Sequence, residues 1–185
     1  KVDASYIFVM NGAFIVGTED EPFLQNVIIT LHGSPASREF PVYGAKMLSC
    51  RFCTLDLHGR PLLDGRTHTK LAQTAASGSQ EIFLAEPVDW VAGSEIVLTS
   101  TAANGTMEEA EVVRLVGVVD GGTRLLLTEP LAFEHLGETM QFAGGHQFDF
   151  RANVGLLSRN VVVQGDPQSK FMSHGVHIML HSRGA

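Results

Sequence analysis

Three histidines, His174, His177 and His181, form a His-x-x-His-x-x-x-His run. On a helix these positions share a face and suit a metal ion. Val176–Leu180, however, is a short apolar stretch of strand type, and strand side chains alternate between faces. His177 and His181 then share a face about 13 Å apart, while His174 points the other way. That spacing builds no tetrahedral centre, so no metal is expected. Cys50-Arg51-Phe52-Cys53 is half of a zinc site at best, and no second half exists. A thioredoxin-type pair belongs at a helix N-terminus, whereas the neighbours here are strands. Extended backbone separates the two Cα atoms by about 10 Å, beyond the ~7 Å reach of a disulfide. Two free thiols are therefore expected, and an oxidised pair would require a tight turn instead. His32 and His58 end two similar segments, with Asp56 and Asp149 as carboxylates of the type that saccharide cleavage uses in pairs. The simpler reading stacks the two histidines as a ladder of hydrogen-bonded corner residues. No catalytic residue and no cofactor is assigned.

The elements that must position these residues are strands. Tyr6–Met10, Ala13–Val16, Val27–Leu31, Lys46–Leu48, Thr54–Leu57, Glu81–Leu84, Glu95–Thr99, Glu111–Val119, Arg124–Thr128, Val161–Val163 and Val176–Leu180 are short and aliphatic. Most end at Gly, Pro, Asn or Asp. One short helix is predicted, at His68–Ala76. Ile29-Thr30-Leu31-His32-Gly33 and Leu55-Asp56-Leu57-His58-Gly59 rhyme 26 positions apart, and Val161-Val162-Val163-Gln164-Gly165 ends similarly. A period in the 20s with Gly at the corner is the pattern of a β-solenoid. Between the rhyming ends, Glu111–Val119, Asp120-Gly121-Gly122-Thr123 and Arg124–Thr128 read as an antiparallel hairpin. The expected architecture is all-β: a right-handed parallel β-helix over 1–66 and 146–185, interrupted by an antiparallel β-unit over 67–145. The lone Trp90 is expected in a core, and Glu108-Glu109-Ala110-Glu111 on a solvated strand edge.

The 185 residues carry a net charge of −7. Residues 67–145 hold three Lys/Arg against eleven Asp/Glu, net −8; residues 1–66 are net −1 and 146–185 net +2. Such a balance excludes a nucleic-acid groove and disfavours a polyanionic substrate. No apolar run approaches the ~18 residues of a membrane span, so no direct membrane insertion is expected. The opening Lys1-Val2 has no leader pattern and reads as an internal start in a larger chain. Asn104-Gly105-Thr106 is an N-glycosylation triplet in a small, polar stretch, and Asn104 is expected to carry glycan in a secretory pathway.

Several collinear stretches resemble the G8-domain family of fibrocystin and the fibrocystin-like proteins, with relatives among hyaluronan-depolymerising cell-surface proteins. They are Gly17-Thr18-Glu19-Asp20-Glu21-Pro22-Phe23, Leu55-Asp56-Leu57-His58-Gly59, Val88-Asp89-Trp90 with Gly93-Ser94-Glu95-Ile96-Val97, and Asn153-Val154-Gly155-Leu156-Leu157-Ser158-Arg159-Asn160-Val161. The resemblance implies the latter part of a G8 domain, with its front missing, leading into parallel β-helix repeats. It also implies the ectodomain of a large single-pass membrane protein, located at the cell surface. Departures occur at His68, Cys53, Ser94 and Asn153, where the family favours Trp, Gly, Asp and Glu; they weaken any transfer of catalytic chemistry. The expected function is a non-catalytic extracellular module for an unknown protein or glycan ligand, in contact with flanking domains of the parent chain. The alternatives are a hyaluronan-depolymerising domain and a purely structural spacer.

Overall fold

The computed structural model describes residues 1–103 and 106–181. In chain order the strands are β1 (Val2–Ala4), β2 (Ile7–Met10), β3 (Ala13–Val16), β4 (Val27–Leu31), β5 (Met47–Arg51), β6 (Thr54–Leu57), β7 (His68–Lys70), β8 (Glu81–Phe83), β9 (Glu95–Leu98), β10 (Glu111–Val119), β11 (Arg124–Leu127), β12 (Thr139–Gln141), β13 (Gln147–Asp149), β14 (Asn153–Leu156), β15 (Val161–Gly165) and β16 (His177–His181); a one-turn helix α1 (Ser169–Met172) precedes β16. The described residues are all-β apart from α1 and two short 3-10 turns. Its two compact units are Lys1–Pro61 with Arg159–Ala185, and Leu62–Ser158.

In the first unit the chain visits three parallel sheets in turn. β1, β4 and β15 form one, β2, β5 and β16 the second, β3 and β6 the third. Apolar residues stack in register: Val2 and Val163 flank Ile29, Ile7 and Ile178 flank Leu48, and Phe14 meets Leu55. Ile29, Leu31 and Leu48 are fully enclosed, packed by Ala4, Ile7, Phe14, Leu55 and Val163. Corners recur where the chain changes sheet. Asn11 and Phe52 both take left-handed backbone (φ 53° and 50°), and Thr54 N–H donates to Gly12 O across that corner. At Gly17 (φ 74°) a side chain would collide with the carbonyl of His58 and the amide of Phe23, so only glycine fits. Asn160 fills a further corner, donating to Phe23 O (2.6 Å) and Gln25 O (2.8 Å) and accepting from Arg60 N–H (2.8 Å).

The rhyme between Ile29–Gly33 and Leu55–Gly59 does not mark stacked positions. Leu31 lies in the first sheet beside Ala4 and Gly165, whereas Leu57 lies in the third beside Val16. The observed register aligns Val2 with Ile29, 27 positions on, but Ile7 with Leu48, 41 positions on. The excursion between β4 and β5 accounts for the difference. His32 and His58 therefore end different sheets, and the expected histidine ladder does not form.

The second unit is antiparallel, in the order β7-β14-β9-β10-β11-β8. Lys70–Ala72 pairs with Phe83–Ala85 through Ala72 N–H to Phe83 O and Ala85 N–H to Lys70 O, which closes the sheet on itself and leaves no open edge between β7 and β8. Its core holds Leu71, Ile82, Ile96, Leu98, Leu115, Leu125 and Val154, with Trp90 buried and its indole N–H donated to Arg66 O. The hairpin of β10 and β11 turns at Asp120-Gly121-Gly122 as the sequence indicates. Two expectations are corrected. His68–Lys70 is a strand, because Thr69 buries inward between outward His68 and Lys70 and pairs with Val154. β14 belongs to this unit, paired with β7 and β9, so the later segment of the first unit begins at Arg159 rather than 146.

Candidate functional site

The outward side chains of the β2–β5–β16 sheet and the loop before β5 build a cleft. Alternation along β2 turns Ile7 into the core and sends Phe8 and Met10 outward; Arg51 is the register partner of Met10 on β5, and His181 is the partner of Arg51 on β16. Residues 40–44 form a tight turn in which Tyr43 N–H and Gly44 N–H donate to Phe40 O (3.0 and 2.8 Å) and Phe40 N–H donates to Gly44 O (2.8 Å). Phe40 and Tyr43 are thereby set against Phe8, with ring centroids 4.9 and 4.7 Å from it. The cavity so bounded is about 380 Å³, lined by Phe8, Met10, Phe40, Tyr43, Arg51 and His181, with Pro41 and Val42 at its rim. Val42 has φ 73° and is 79% exposed. A β-branched residue in left-handed backbone is a strained choice at a turn, and such strain concentrates at ligand-binding positions.

The cleft's hydrogen-bonding groups are largely occupied. Tyr43 Oη lies 3.2 Å from His181 Nδ1, and Tyr43 O accepts a hydrogen bond from His177 Nε2 (2.7 Å), which places that proton on Nε2. His177 and His181 thus share a face, as alternation requires, and both serve Tyr43. His174 follows α1 on left-handed Ser173, its N–H donated to Ser169 O. Among the described residues no cluster of three or more His, Cys, Asp and Glu is arranged to hold a metal.

Cys50 and Cys53 form a disulfide with Cα atoms 5.5 Å apart, which corrects the expectation of free thiols. The extended geometry assumed for the pair breaks at Phe52, whose left-handed backbone folds the corner and whose N–H donates to His181 O (3.2 Å). Thiol titration of the denatured, unreduced protein is expected to find none of the two thiols; two per chain would contradict the bond. Arg51, inside the same loop, lies over the Phe52 ring at 5.6 Å.

Of the candidates His32, His58, Asp56 and Asp149, the structure brings together only Asp56 and His58; His32 and Asp149 pair with other residues. His32 Nε2 is 3.1 Å from Asp3 and its Nδ1 is 3.8 Å from Asp166. His58 Nε2 is 3.9 Å from Asp56. Asp149, in the second unit, is gripped by Arg151 (2.9 Å) and by Lys70 (2.7 Å), which hold its carboxyl far below the usual range. Asn104 lies outside the described residues. Close to His32, the fully buried ammonium of Lys46 donates to Ser169 Oγ (2.6 Å) and Gly33 O (3.1 Å) and pairs with Asp166 (3.3 Å). The backbone N–H of Gly33, then Lys46, hold the Asp166 carboxyl at about 2. With Gly33 O, Ser169 Oγ and the Asp166 carboxylate around its Nζ, Lys46 is a clamp between the β4–β5 excursion and α1. Phe8, Phe40, Tyr43 and Arg51 are not among the candidate site residues that the sequence offers. The usable signal was the aromatic pair around Pro41-Val42 together with the outward register of Phe8 and Met10.

A three-sheet parallel stack joined to a closed antiparallel unit, with no helix among the described residues long and apolar enough to cross a membrane, defines an all-β module. Residues 1–72 match the G8 domain. The chain is 40% identical over 166 residues to fibrocystin-L of Homo sapiens, covering 89% of this chain and 4% of that protein. It is 36% identical over 175 residues to fibrocystin of Canis lupus familiaris, covering 94% and 4%. It belongs to the fibrocystin-like G8 family, and it spans about 4% of the length of these relatives. Among solved structures, the tailspike gp61 of Pseudomonas phage phi297 is similar at 12% identity and a TM-score of 0.44, over 95% of this chain and 26% of the tailspike.

Proposed function

We propose that the chain is a non-catalytic, extracellular interaction module of a large membrane-protein ectodomain, and that its first unit is a short right-handed parallel β-helix. The ordered visit to three parallel sheets supports the β-helix, since crossovers between parallel strands of one sheet are right-handed in nearly all proteins. Such a stack holds outward side chains on a rigid surface suited to partner contact. The single observation that carries the interaction reading is the apolar cleft between β2, β5 and the Phe40–Gly44 turn, in which half-buried Phe8 and Phe40 and exposed Met10 and Val42 surround buried Tyr43. His32, His58, Asp56 and Asp149 serve in this reading as local pairing residues, and Asn104 as a glycan acceptor. The test is a size-distribution assay of high-molecular-weight hyaluronan incubated with the 185-residue chain, with and without Ca²⁺. The size is expected to stay unchanged. A shift to short chains that is abolished by Asp56→Ala, His58→Ala or Asp149→Ala would overturn the non-catalytic reading.

A further inference from the structure

We propose that the cleft beside Arg51 docks a peptide segment of a protein partner in which an apolar side chain stands within two residues of a carboxylate. This rests on the reading of the chain as an interaction module and names the partner class of the same site.

The walls select the apolar group. Phe8, Phe40 and Tyr43 present rings to one another at 4.7–6.1 Å, and Met10 extends the apolar wall with 56% of its surface exposed. The polar atoms around them are engaged within the chain: the Tyr43 hydroxyl with His181, the Tyr43 carbonyl with His177, and the Phe40 amide and carbonyl within their own turn. A saccharide lying here would bring several hydroxyls against a surface with few free partners, and each buried, unpaired hydroxyl loses its hydration. A Leu, Met or Phe side chain has no such requirement, and sulfur and ring contacts with aromatic walls are favourable. Strained, exposed Val42 adds a further apolar surface at the rim.

The charge selects the neighbour of that group. Among the described residues Arg51 makes no ion pair, as is also true of Arg38, Arg60, Arg159 and Lys170, and of these Arg51 is the one that lines the cleft. Its guanidinium, spread over the Phe52 ring, retains donors for an incoming acid. The first unit contains eight Lys/Arg and seven Asp/Glu, net +1, and the second five and thirteen, net −8. The cleft therefore sits on the unit without the acidic excess, and an acidic segment meets no net repulsion from it.

The test pans a phage-displayed library of linear 12-residue peptides on the immobilised, disulfide-bonded chain, alongside a glycan array probed with the same protein. Enriched peptides are expected to carry Leu, Met or Phe within two positions of Asp or Glu. The best synthetic peptide is expected to lose at least tenfold in affinity to Arg51→Glu and to Val42→Asp, both exposed positions, with the far-UV circular dichroism unchanged. Arg51→Glu should in turn prefer the same peptide with its acid replaced by Lys, a reversal that general damage to the fold does not produce. Enriched peptides indifferent to both substitutions, or without an acidic neighbour, would overturn the assignment. Glycan binding abolished by Arg51→Glu would place a saccharide in the cleft, overturning the peptide assignment while keeping the interaction module. Failure of both arms would overturn both.

Discussion

Replacing Lys46 by Met is expected to lower the unfolding free energy of the first unit by about 3 kcal/mol, the lower part of the range for breaking a buried ion pair. The side chain is fully enclosed, and its ammonium is the only described cation within ion-pair distance of Asp166 apart from the partly exposed His32 ring. Met matches the length of the stem but leaves Gly33 O and the Asp166 carboxylate without that donor. Asp166 keeps the amides of Gly33, Gln168 and Ser169, which is why the loss falls at the lower end. Lys46→Met combined with Asp166→Asn should be less destabilised than the sum of the two single variants, because the pair is coupled. Urea unfolding followed by far-UV circular dichroism measures the loss, while fluorescence of the single tryptophan, Trp90, reports the second unit separately. A Lys46→Met chain within 0.5 kcal/mol of the parent, the scatter of ordinary surface changes, would show that the clamp contributes nothing. The same contacts set an acid limit. Asp166 titrates at about 2 in the folded chain, below its ordinary value of 3.8, so its stabilisation is complete above the ordinary value and is lost as the pH falls toward 2. Asp166→Asn should flatten that part of the stability–pH profile.

In the second unit the corresponding expectation is a loss of about 3 kcal/mol or more for Glu111→Ala. One carboxylate organises three groups: it accepts from Ala132 N–H (2.7 Å) and Phe133 N–H (2.8 Å) and lies 3.0 Å from Nε2 of fully buried His135. The other ring nitrogen, Nδ1, is 3.0 Å from Thr99 O, an acceptor, and so carries a proton. The ring thereby ties the segment after β11 to the end of β9. Alanine leaves two amides and one imidazole nitrogen without their partner at once. Glu111→Gln keeps an acceptor oxygen and should lose less. Burial alone would raise the Glu111 carboxyl, but the two amides and His135 outweigh it and hold it below the usual range. Its contribution is therefore present above an ordinary carboxylate value and is lost as the pH falls through the lower folded value. The Trp90 emission transition in urea, recorded at pH 7 and at pH 3, checks both statements. Equal midpoints for Glu111→Ala and the parent at pH 7 would remove this carboxylate from the stability of the unit.

What the sequence by itself determined is the part governed by neighbours along the chain. Alternating aliphatic residues specify strands such as Val27–Leu31 and Glu111–Val119, Asp120-Gly121-Gly122 specifies a hairpin turn, and a single indole among aliphatic strands specifies the buried position of Trp90. The collinear stretches from Gly17 to Asn160 carry the family for the same reason, since corner and core residues are read directly. What depends on register was decided only by the tertiary structure. Leu31 and Leu57 look equivalent locally, yet the excursion of the chain after β4 shifts the second and third sheets relative to the first and places them on different sheets. Thr69 reads as part of a short helix until β14 pairs beside it. Cys50 and Cys53 are too far apart on a strand, and become neighbours because left-handed Phe52 folds the corner between them. The cleft is the furthest from the sequence. Phe8, Phe40, Arg51 and His181 are scattered along the whole chain, and only parallel stacking of β2, β5 and β16, with the Phe40–Gly44 turn folded against them, brings them to one surface. Periodicity records which face of a strand a residue takes; which strand lies beside it is set by long-range backbone pairing, a property of the whole chain and not of any local stretch.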